Sequence, residues 1–402
     1  MPEQQYPKIL YLSDVPVELS FAGATQLHRL LEHYPKDRLL IIQGMELNPK
    51  ERLKGVPYHI RISKLINRLR STRFARWIIP VQVLRESMLT RKQLRIIRDF
   101  QPDAILTVTF GLMWLKAFRV SRKFHIPLHV ILHDEWLMTE NYGLLQPLVR
   151  SRFADMYRHA AGKYAIFPGL ADHYQRLFGA TADVLYPLRG KNDTIYPPAA
   201  SRHKEKLRFC YLGSLFTADF PALLNQLSKA LAKRDWELHI FSTTQKKDLQ
   251  AYEFLTADHV FFHPFLPQEA LLQKLNEEMD AGVLLNSFEQ EETFKYNFSS
   301  KLVDYTSAGL PVLFQGPASA GAISWALQLR YGAVLITPGT PELERLLDAF
   351  LNEEKRRQWA TLLSDAGRSF FSYERNYGVL LDGILKSTRT PVSPDGELPV
   401  QS

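Results

Sequence analysis

The sequence predicts an α/β protein with two doubly wound domains, each built around a parallel sheet. The chain has 402 residues, which is too long for one comfortable core and suits two domains of about 150–200 residues. Short apolar runs alternate with longer amphipathic segments, and this alternation is typical of βαβ units. It lapses once, over residues 187–206, and then starts again. Two consecutive α/β domains follow from these observations.

The elements follow from the apolar pattern in chain order. Residues 8–14 and 37–44 are apolar runs of the kind found in buried strands, and residues 23–34 between them form an amphipathic helix. Pro102 and Pro127 each end a helical pattern just before another apolar run. The predicted boundaries are a first domain over 1–186, a linker over 187–206, a second domain over 207–373, a helix over 374–387 and a disordered tail over 388–402.

Composition excludes several classes of protein. With 46% hydrophobic and 23% charged residues the chain can build cores without disulfides or structural metal. Its single cysteine, Cys210, suits a reducing compartment. We see no signal peptide, and the longest nearly uncharged run is shorter than the ~20 residues of a membrane helix. We therefore expect a soluble, cytoplasmic protein.

A strongly basic segment precedes the third predicted strand. Residues 61–100 contain eleven lysines and arginines but only two acidic residues. Arg70, Arg73, Arg76 and Trp77 lie among apolar residues there, a composition that suits a helix lying on anionic lipid. The alternative is a solvated helix whose apolar side packs on its own domain. We expect no nucleic-acid partner, since no recognised binding module accompanies the patch.

The stretch NFSSKLVDYTSAGLPVLF, residues 297–314, concentrates chemistry at the start of a helix. Ser299 or Ser300 can cap the helix, whose N-terminus favours an anion. Lys301 adds a cation suited to a phosphate, and Asp304 lies one turn along, where a carboxylate can bind the vicinal hydroxyls of a ribose. Together they describe a nucleotide site. From the spacing alone, a capped helix with a solvated Lys–Asp pair remains the alternative.

This stretch resembles the donor-binding signature of GT-B glycosyltransferases of the family 4 type, in which Ser-Lys-Leu-x-Glu-Tyr precedes a Gly-x-Pro-Val strand. The segments SFAGATQLHRLL, VILHDEW, YLGSL and HPFLPQEALLQKL resemble other parts of the same fold, over nearly all of residues 8–386. The resemblance implies two Rossmann-like domains facing each other across a cleft. It also implies that the helix over 374–387 crosses back to the first domain.

The resemblance also implies a role for each matching residue. Lys301 and Ser300 would meet the donor diphosphate, and Asp304 would replace the family's glutamate at the ribose. Gly23 would lie at a phosphate-facing turn, and His133 would act in the active site beside the transferred sugar. Phe265 and Leu266 would hold the base through their backbone.

The chain departs from the family pattern in two places. Tyr296 occupies the position of an earlier glutamate in that pattern, and the segment after the first donor-domain strand lacks the usual arginine and lysine. Phosphate neutralisation then depends on Lys301 and the helix terminus, with Arg189 or Lys191 as further candidates. No cysteine–histidine cluster or Asp-x-Asp motif is present, so we expect no metal and no cofactor beyond the nucleotide sugar.

These residues predict a glycosyltransferase that moves a sugar from a nucleotide-diphosphate donor to a glycan, lipid-linked or other hydroxyl acceptor in cell-envelope or polysaccharide biosynthesis. The resemblance implies retention of configuration. The basic segment suggests peripheral contact with the inner face of a membrane. Two alternatives stay open: a nucleotide-sugar epimerase of the same fold, and a GT-B binding or assembly protein without turnover.

Overall fold

The computed structural model describes residues 6–60, 75–136, 142–198, 206–215, 219–242, 252–264 and 266–389. The described chain divides into two compact units. The first comprises the residues up to Pro187 together with those from Tyr373 onward, and the second runs from Leu188 to Ser372.

Short apolar segments form the strands of both units. The central strands lie between sheet neighbours and have helices before and after them, so nearly all of their residues are buried. The strands at the sheet edges are partly exposed. The strands are β1 (Ile9–Ser13), β2 (Leu39–Gln43), β3 (Tyr58–Ile60), β4 (Ala104–Val108), β5 (Leu128–Leu132), β6 (Gly162–Ala165), β7 (Asp183–Val184), β8 (Arg208–Leu212), β9 (Glu237–Phe241), β10 (Val260–His263), β11 (Ala281–Leu285), β12 (Val312–Gln315) and β13 (Val334–Leu335).

Amphipathic segments between the strands form the helices. The described helices are α1 (Ala22–Leu31), α2 (Ala75–Glu86), α3 (Arg91–Phe100), α4 (Met113–Phe124), α5 (Gln146–His159), α6 (Pro168–Phe178), α7 (Phe220–Ala232), α8 (Gln268–Glu278), α9 (Glu291–Phe294), α10 (Lys301–Ser307), α11 (Gly321–Gln328), α12 (Thr340–Phe350), α13 (Glu353–Phe370) and α14 (Tyr373–Arg389).

The two sheets have the same strand order, except that the first has one additional strand at its end. The described strands of the first unit are ordered β3-β2-β1-β4-β5-β6-β7, and those of the second β10-β9-β8-β11-β12-β13. All these pairings are parallel. In each sheet the strand order reverses beside its first strand, so the carboxyl ends of β1 and β4, and of β8 and β11, flank a topological switch point. The predicted fold, two doubly wound α/β units, is confirmed.

The first part of the predicted linker packs against the second unit instead of forming a free connection. Leu188–Pro198 belong to the second unit, where Arg189 is 2% exposed and the backbone N–H of Tyr196 donates to the carbonyl of Ser307 at 2.8 Å. These contacts join residues more than a hundred positions apart, so local composition could not reveal them. Residues 199–205 of the predicted linker lie outside the described residues.

The last helix, α14, belongs to the first unit. Ser387 donates or accepts a 2.8 Å hydrogen bond with Nε2 of His129, a buried strand residue of that unit, and Gly383 lies against the ring of Tyr164. Helix α14 extends to Arg389, so the first two residues of the predicted tail are helical. The rest of that tail, from residue 390, lies outside the described residues.

Candidate functional site

The side chain of Lys301 reaches the carboxyl end of β8, the first strand of the second unit. Lys301 is the first residue of α10, and the end of its side chain reaches the turn after β8. A methyl group added at Gly213 would lie 2.5 Å from Cε and 2.7 Å from Nζ of Lys301. Gly213 also has a φ of +118°, which L side chains rarely adopt. Glycine is thus favoured at this turn by its backbone conformation, and its lack of a side chain leaves room for the end of the lysine.

The surroundings of the Lys301 ammonium are aromatic. Its Nζ lies 4.6 Å from the ring centroid of Tyr211 and 6.0 Å from that of Phe220. It also donates a 3.3 Å hydrogen bond to the hydroxyl of Tyr211. Within the described part of the chain Lys301 forms no salt bridge, and burial lowers its pKa from 10.5 to about 8. The ammonium is therefore mostly charged at pH 7 and has no fixed anionic partner among these residues.

Asp304 is held by the helix that follows the predicted base-binding loop. Gln268, the first residue of α8, donates from Nε2 to Oδ1 of Asp304 at 2.8 Å. The same two helices are joined further along by Asn276, whose side-chain amide donates to the carbonyl of Ala308 at 3.0 Å. Sequence reasoning missed Gln268, since no local pattern connects residues 36 positions apart.

The serines before Lys301 do not cap the helix as predicted. Ser300 occupies the N-cap position with helical backbone angles, and neither its hydroxyl nor that of Ser299 bonds the first backbone N–H groups. Instead the backbone carbonyls of Ser299 and Ser300 accept from Leu302 and Val303 in a tighter first turn. A capping side chain needs an extended N-cap backbone. With the helical backbone seen here, the two partly exposed hydroxyls do not cap the helix.

Arg189, a candidate phosphate-binding cation, serves a different purpose. Its Nε donates to the hydroxyl of Ser307 at 2.8 Å and its Nη2 to that of Thr306 at 3.0 Å. Both partners lie in the last turn of α10, and Arg189 is buried. The guanidinium thus fixes the C-terminal turn of α10, away from the Lys301 end. Lys191 is exposed at the surface.

The predicted base-binding residues are only partly described. Leu266 is partly exposed in the turn between β10 and α8, two residues before Gln268. Phe265 lies outside the described residues. The second unit therefore carries Leu266, Ser299, Ser300, Lys301 and Asp304 on the turns and helix starts that follow its strands.

In the first unit the structure brings Gly23 and His133 together. Gly23 is in the first turn of α1, and His133 directly follows β5. A methyl group at Gly23 would lie 3.2 Å from Nδ1 of His133 and 3.3 Å from the ring of Phe21. Burial lowers the pKa of His133 to about 4, so the imidazole is neutral at pH 7 and can both donate and accept hydrogen bonds.

Asp14, at the carboxyl end of β1, is a polar residue near the switch point of the first sheet that sequence reasoning missed. Its Oδ2 accepts from the backbone N–H groups of Leu112 and Met113 at 2.7 and 2.8 Å, so it caps α4. Gly111, with a φ of +65°, leaves no room there for a side chain because the Asp14 carboxylate occupies it. Burial raises the pKa of Asp14 to about 6 despite these bonds. Its role is to hold the loop at the switch point.

The predicted membrane-contact residues fall at the limit of the description. Arg70 and Arg73 lie outside the described residues, and Arg76 and Trp77 are in the first turn of α2. Farther along this segment Val81, Leu84 and Met88 are 53, 64 and 52% exposed, and α2 contacts the turn that carries the fully exposed Leu144. Among the helices that the structure describes, none is both long and apolar enough to cross a membrane.

Searched over its described residues, the chain shows no grouping of three or more histidine, cysteine, aspartate or glutamate side chains that could hold a metal ion.

Comparisons with known proteins give the fold. No family model matches the chain, and no curated protein sequence matches it. Several solved structures match the chain. HepE of Anabaena in complex with UDP and glucose superposes with a TM-score of 0.61 at 15% identity, over 95% of this chain and 100% of HepE. The lipopolysaccharide outer core galactosyltransferase WaaB gives 0.61 at 15% identity, over 94 and 99% of the two chains. MurG of Acinetobacter baumannii gives 0.55 at 14% identity, over 94 and 100%.

This likeness spans both units, and with the two sheets of reversed strand order it shows that the chain has the two-domain GT-B fold of these glycosyltransferases. At this level of identity the likeness concerns the fold, and function has to be argued from the site.

Proposed function

We propose that this protein is a glycosyltransferase that moves a sugar from a nucleotide-diphosphate donor to a hydroxyl acceptor. The observation that carries the proposal is the Lys301 ammonium, which lies against Gly213 at the switch point of the second sheet without a salt bridge among the described residues. Ligands of doubly wound proteins bind at such points. Solved proteins of the same fold bind UDP and UDP-glucose.

The donor diphosphate would supply the anion for Lys301. Burial makes a lone ammonium costly, and the lowered pKa of Lys301 expresses that cost. A diphosphate at the β8 turn would reduce the cost of burying the ammonium, because attraction between opposite charges is strong where water is scarce. Because the arginine and lysine of the family pattern are absent after β8, Lys301 would carry more of the neutralisation of that diphosphate.

The ribose of the donor would bind at Asp304. The carboxylate is one helical turn from Lys301, and Gln268 holds its Oδ1. A carboxylate can accept hydrogen bonds from both hydroxyls of a vicinal diol. The distance from diphosphate to ribose within one nucleotide is comparable with one turn of helix, about 5.4 Å. One molecule would therefore contact both side chains.

The first unit would contribute His133 to the transferred sugar. A neutral imidazole can hydrogen-bond a sugar hydroxyl without competing with Lys301 for the diphosphate. The ring lies close to Gly23, where there is little room for a side chain. Catalysis would come from positioning the two substrates and from stabilising the departing diphosphate. Transfer with retention of configuration remains the expectation from the family 4 pattern.

A lipid-carried acceptor would explain the apolar surface of α2. Val81, Leu84 and Met88 are exposed in a segment rich in arginine and lysine, which suits anionic headgroups. Sedimentation with phosphatidylglycerol vesicles tests this, with neutral phosphatidylcholine vesicles for comparison. We expect Leu84→Asp to reduce binding to the anionic vesicles. Leu351→Asp, an equally exposed leucine of the second unit at 61%, is the matched control.

The first test of the donor site is a thermal-shift and calorimetric screen with UDP, GDP, ADP and dTDP. One nucleotide should bind, and a hundredfold excess over its Kd should stabilise the protein by roughly 2.7 kcal/mol. Lys301→Ala and Asp304→Ala should abolish that shift. If none of the four binds the wild-type protein, the helix start is only structural and the catalytic proposal fails.

Once the base is known, turnover separates the enzyme classes. A glycosyltransferase consumes donor faster when an acceptor is added, whereas an epimerase converts the donor alone. A protein that binds the nucleotide but neither hydrolyses nor transfers the sugar would be an assembly factor. The nucleotide that binds narrows the choice of donor sugar. Acceptors can then be screened with the corresponding nucleotide sugars.

A further inference from the structure

We propose that Tyr211 is a positioning residue that holds the Lys301 ammonium at the β8 turn before the donor arrives. This inference deepens the proposed function and rests on it for the identity of the anion. Tyr211 is not part of the motif that predicted the site. It enters through contacts with a lysine 90 positions away in the chain.

The tyrosine contacts the ammonium in two ways. The ring centroid is 4.6 Å from Nζ, within the range at which an aromatic face attracts a cation. The hydroxyl accepts from Nζ at 3.3 Å and donates to the carbonyl of Ser214 at 2.8 Å. Tyr211 thus connects Lys301 to the backbone of the turn at which the diphosphate would bind.

An aromatic partner has a consequence that a carboxylate would not have. A carboxylate would neutralise Lys301 and compete with the incoming phosphate for its charge. A tyrosine ring attracts the ammonium but carries no formal charge, so the full positive charge stays available to a ligand. The side chain is also held in one place, which lowers the entropy cost of ordering a lysine on binding.

The groups around Lys301 are few among the described residues. Tyr211 approaches from β8, and Phe220 approaches from α7 with its ring centroid at 6.0 Å. Asp304 lies on α10 itself and is bonded to Gln268. Burial is the cause of the lowered pKa of Lys301, and burial raises the pKa of Tyr211 above its usual range, so its hydroxyl stays neutral.

The test measures the ionisation of Lys301 directly, without any nucleotide. In protein labelled with ¹³C at lysine Cε, the resonance of Lys301 is assigned by its absence from Lys301→Arg, and its pKa is followed between pH 6 and 10. Tyr211→Phe keeps the ring but removes the hydroxyl that stabilises the charged form. We expect the pKa of Lys301 to fall by roughly half a unit or more.

Tyr331→Phe is the matched control. Its buried hydroxyl accepts the N–H of Val312 at 2.8 Å in the same unit, so the control removes a comparable hydrogen bond without contacting Lys301. If Tyr211→Phe does not fold, Tyr211→Leu removes the ring and the hydroxyl together and should lower the pKa of Lys301 by a larger amount. An unchanged pKa in the folded variants would overturn the inference, because a merely structural tyrosine would not move it.

Calorimetry with the nucleotide that binds best then connects the ionisation to binding. The wild-type affinity should be constant near pH 7 and fall as pH rises through 8, because the charged lysine is lost. Tyr211→Phe should move this fall to lower pH, and Lys301→Arg should remove it. If Lys301→Met loses binding but Tyr211→Phe does not shift the pH at which affinity falls, the inference about Tyr211 is overturned and the donor site is not. Unimpaired binding in Lys301→Met overturns the donor site itself.

Discussion

The carboxyl edges of the two sheets share a topology but differ in chemistry. At the first edge a neutral histidine packs on a glycine, and the carboxylate of Asp14 is used to cap a helix. At the second edge a lysine without a salt bridge among the described residues lies over an aromatic ring, and an aspartate is oriented by a glutamine. The first edge offers neutral hydrogen bonds and the second offers charge.

This difference teaches that one fold can present two kinds of chemical surface by changing only the residues after its strands. The second edge suits a polyanion, and the first suits the hydroxyls of a sugar. Substitutions at the second edge should change nucleotide affinity. Substitutions at the first edge should change transfer more than they change that affinity.

The largest effect is expected from Lys301→Met. Removing the cation should weaken nucleotide binding by at least about thirtyfold, in line with the loss of one partner of a buried charge pair. Isothermal calorimetry at pH 7 measures it. Lys301→Arg, which keeps the charge, is the control.

The same substitution should stabilise the free protein. The folded-state pKa of Lys301, about 8, is below its ordinary value of 10.5. The unfolded chain then binds this proton more tightly, so the charge destabilises the fold below pH 8, and that penalty disappears as pH rises towards 10.5. At pH 7 we expect Lys301→Met to gain on the order of 1 kcal/mol in denaturant unfolding, allowing for solvent screening. A less stable variant would contradict this.

The next effect concerns the support of α10 at the second edge. A methyl group at Gly367 of α13 would lie 2.5 Å from Nη2 of Arg189 and 2.5 Å from the hydroxyl of Thr306. We expect Gly367→Ala to lose about 1–3 kcal/mol of unfolding free energy through this crowding, and to weaken nucleotide binding because Arg189 holds α10. Chemical denaturation and calorimetry measure the two effects.

Gly378→Ala is the control for that variant. Gly378 also lies within a helix, but a methyl group there meets no atom within 4 Å. It should stabilise the protein by about 0.5–1 kcal/mol, the usual gain from glycine to alanine in a helix. Equal effects at both positions would mean that the Arg189 contact does not support α10.

The second edge could be predicted from sequence only in part. Lys301 and Asp304 share a helix, and helical spacing alone places them together. The serine caps were wrong because the backbone of Ser300 is helical, a local detail that several sequences allow. Tyr211 and Gln268 entered through contacts between distant parts of the chain, which local patterns do not encode. Arg189 was named as a phosphate-binding candidate, but its contacts with Ser307 and Thr306 give it a structural role instead.

The first edge was less accessible to sequence reasoning. Gly23 and His133 were chosen by resemblance, and their contact depends on β1 and β5 being placed in one sheet with α1 beside them. Most of the strands were predictable because strands buried on both faces are uniformly apolar, whereas the partly exposed β3 was not predicted. The packing of Leu188–Pro198 on the second unit was not, since that segment has no periodicity.

A smaller effect is expected at the first edge from Gly23→Ala. The added methyl group would press on Nδ1 of His133 at 3.2 Å and displace the ring by a few tenths of an ångström. We expect sugar transfer to fall roughly tenfold, as misplacement of a positioning group does, and nucleotide affinity to fall by less, since Gly23 would touch the donor only through its turn. Steady-state kinetics and calorimetry together check this. An equal loss of nucleotide affinity would remove the contrast between the two edges.

The smallest effect concerns the ionisation of His133. Its folded-state pKa, about 4, lies below the ordinary 6.5, so the unfolded chain binds the proton more readily. The stability that neutral His133 contributes is complete above pH 6.5 and is lost as pH falls towards 4. His133→Asn lacks this loss, so the stability difference between wild type and variant should change by on the order of 1 kcal/mol between pH 7 and pH 5.

Denaturant unfolding at the two pH values measures that difference. Buried His129 also titrates in the acid range, but it is common to both proteins and cancels. A difference that does not change with pH would mean that His133 accepts its proton in the folded protein as readily as in the unfolded chain. The first edge would then carry a positive charge in mild acid, and the division between a neutral and a charged edge would hold only at neutral pH.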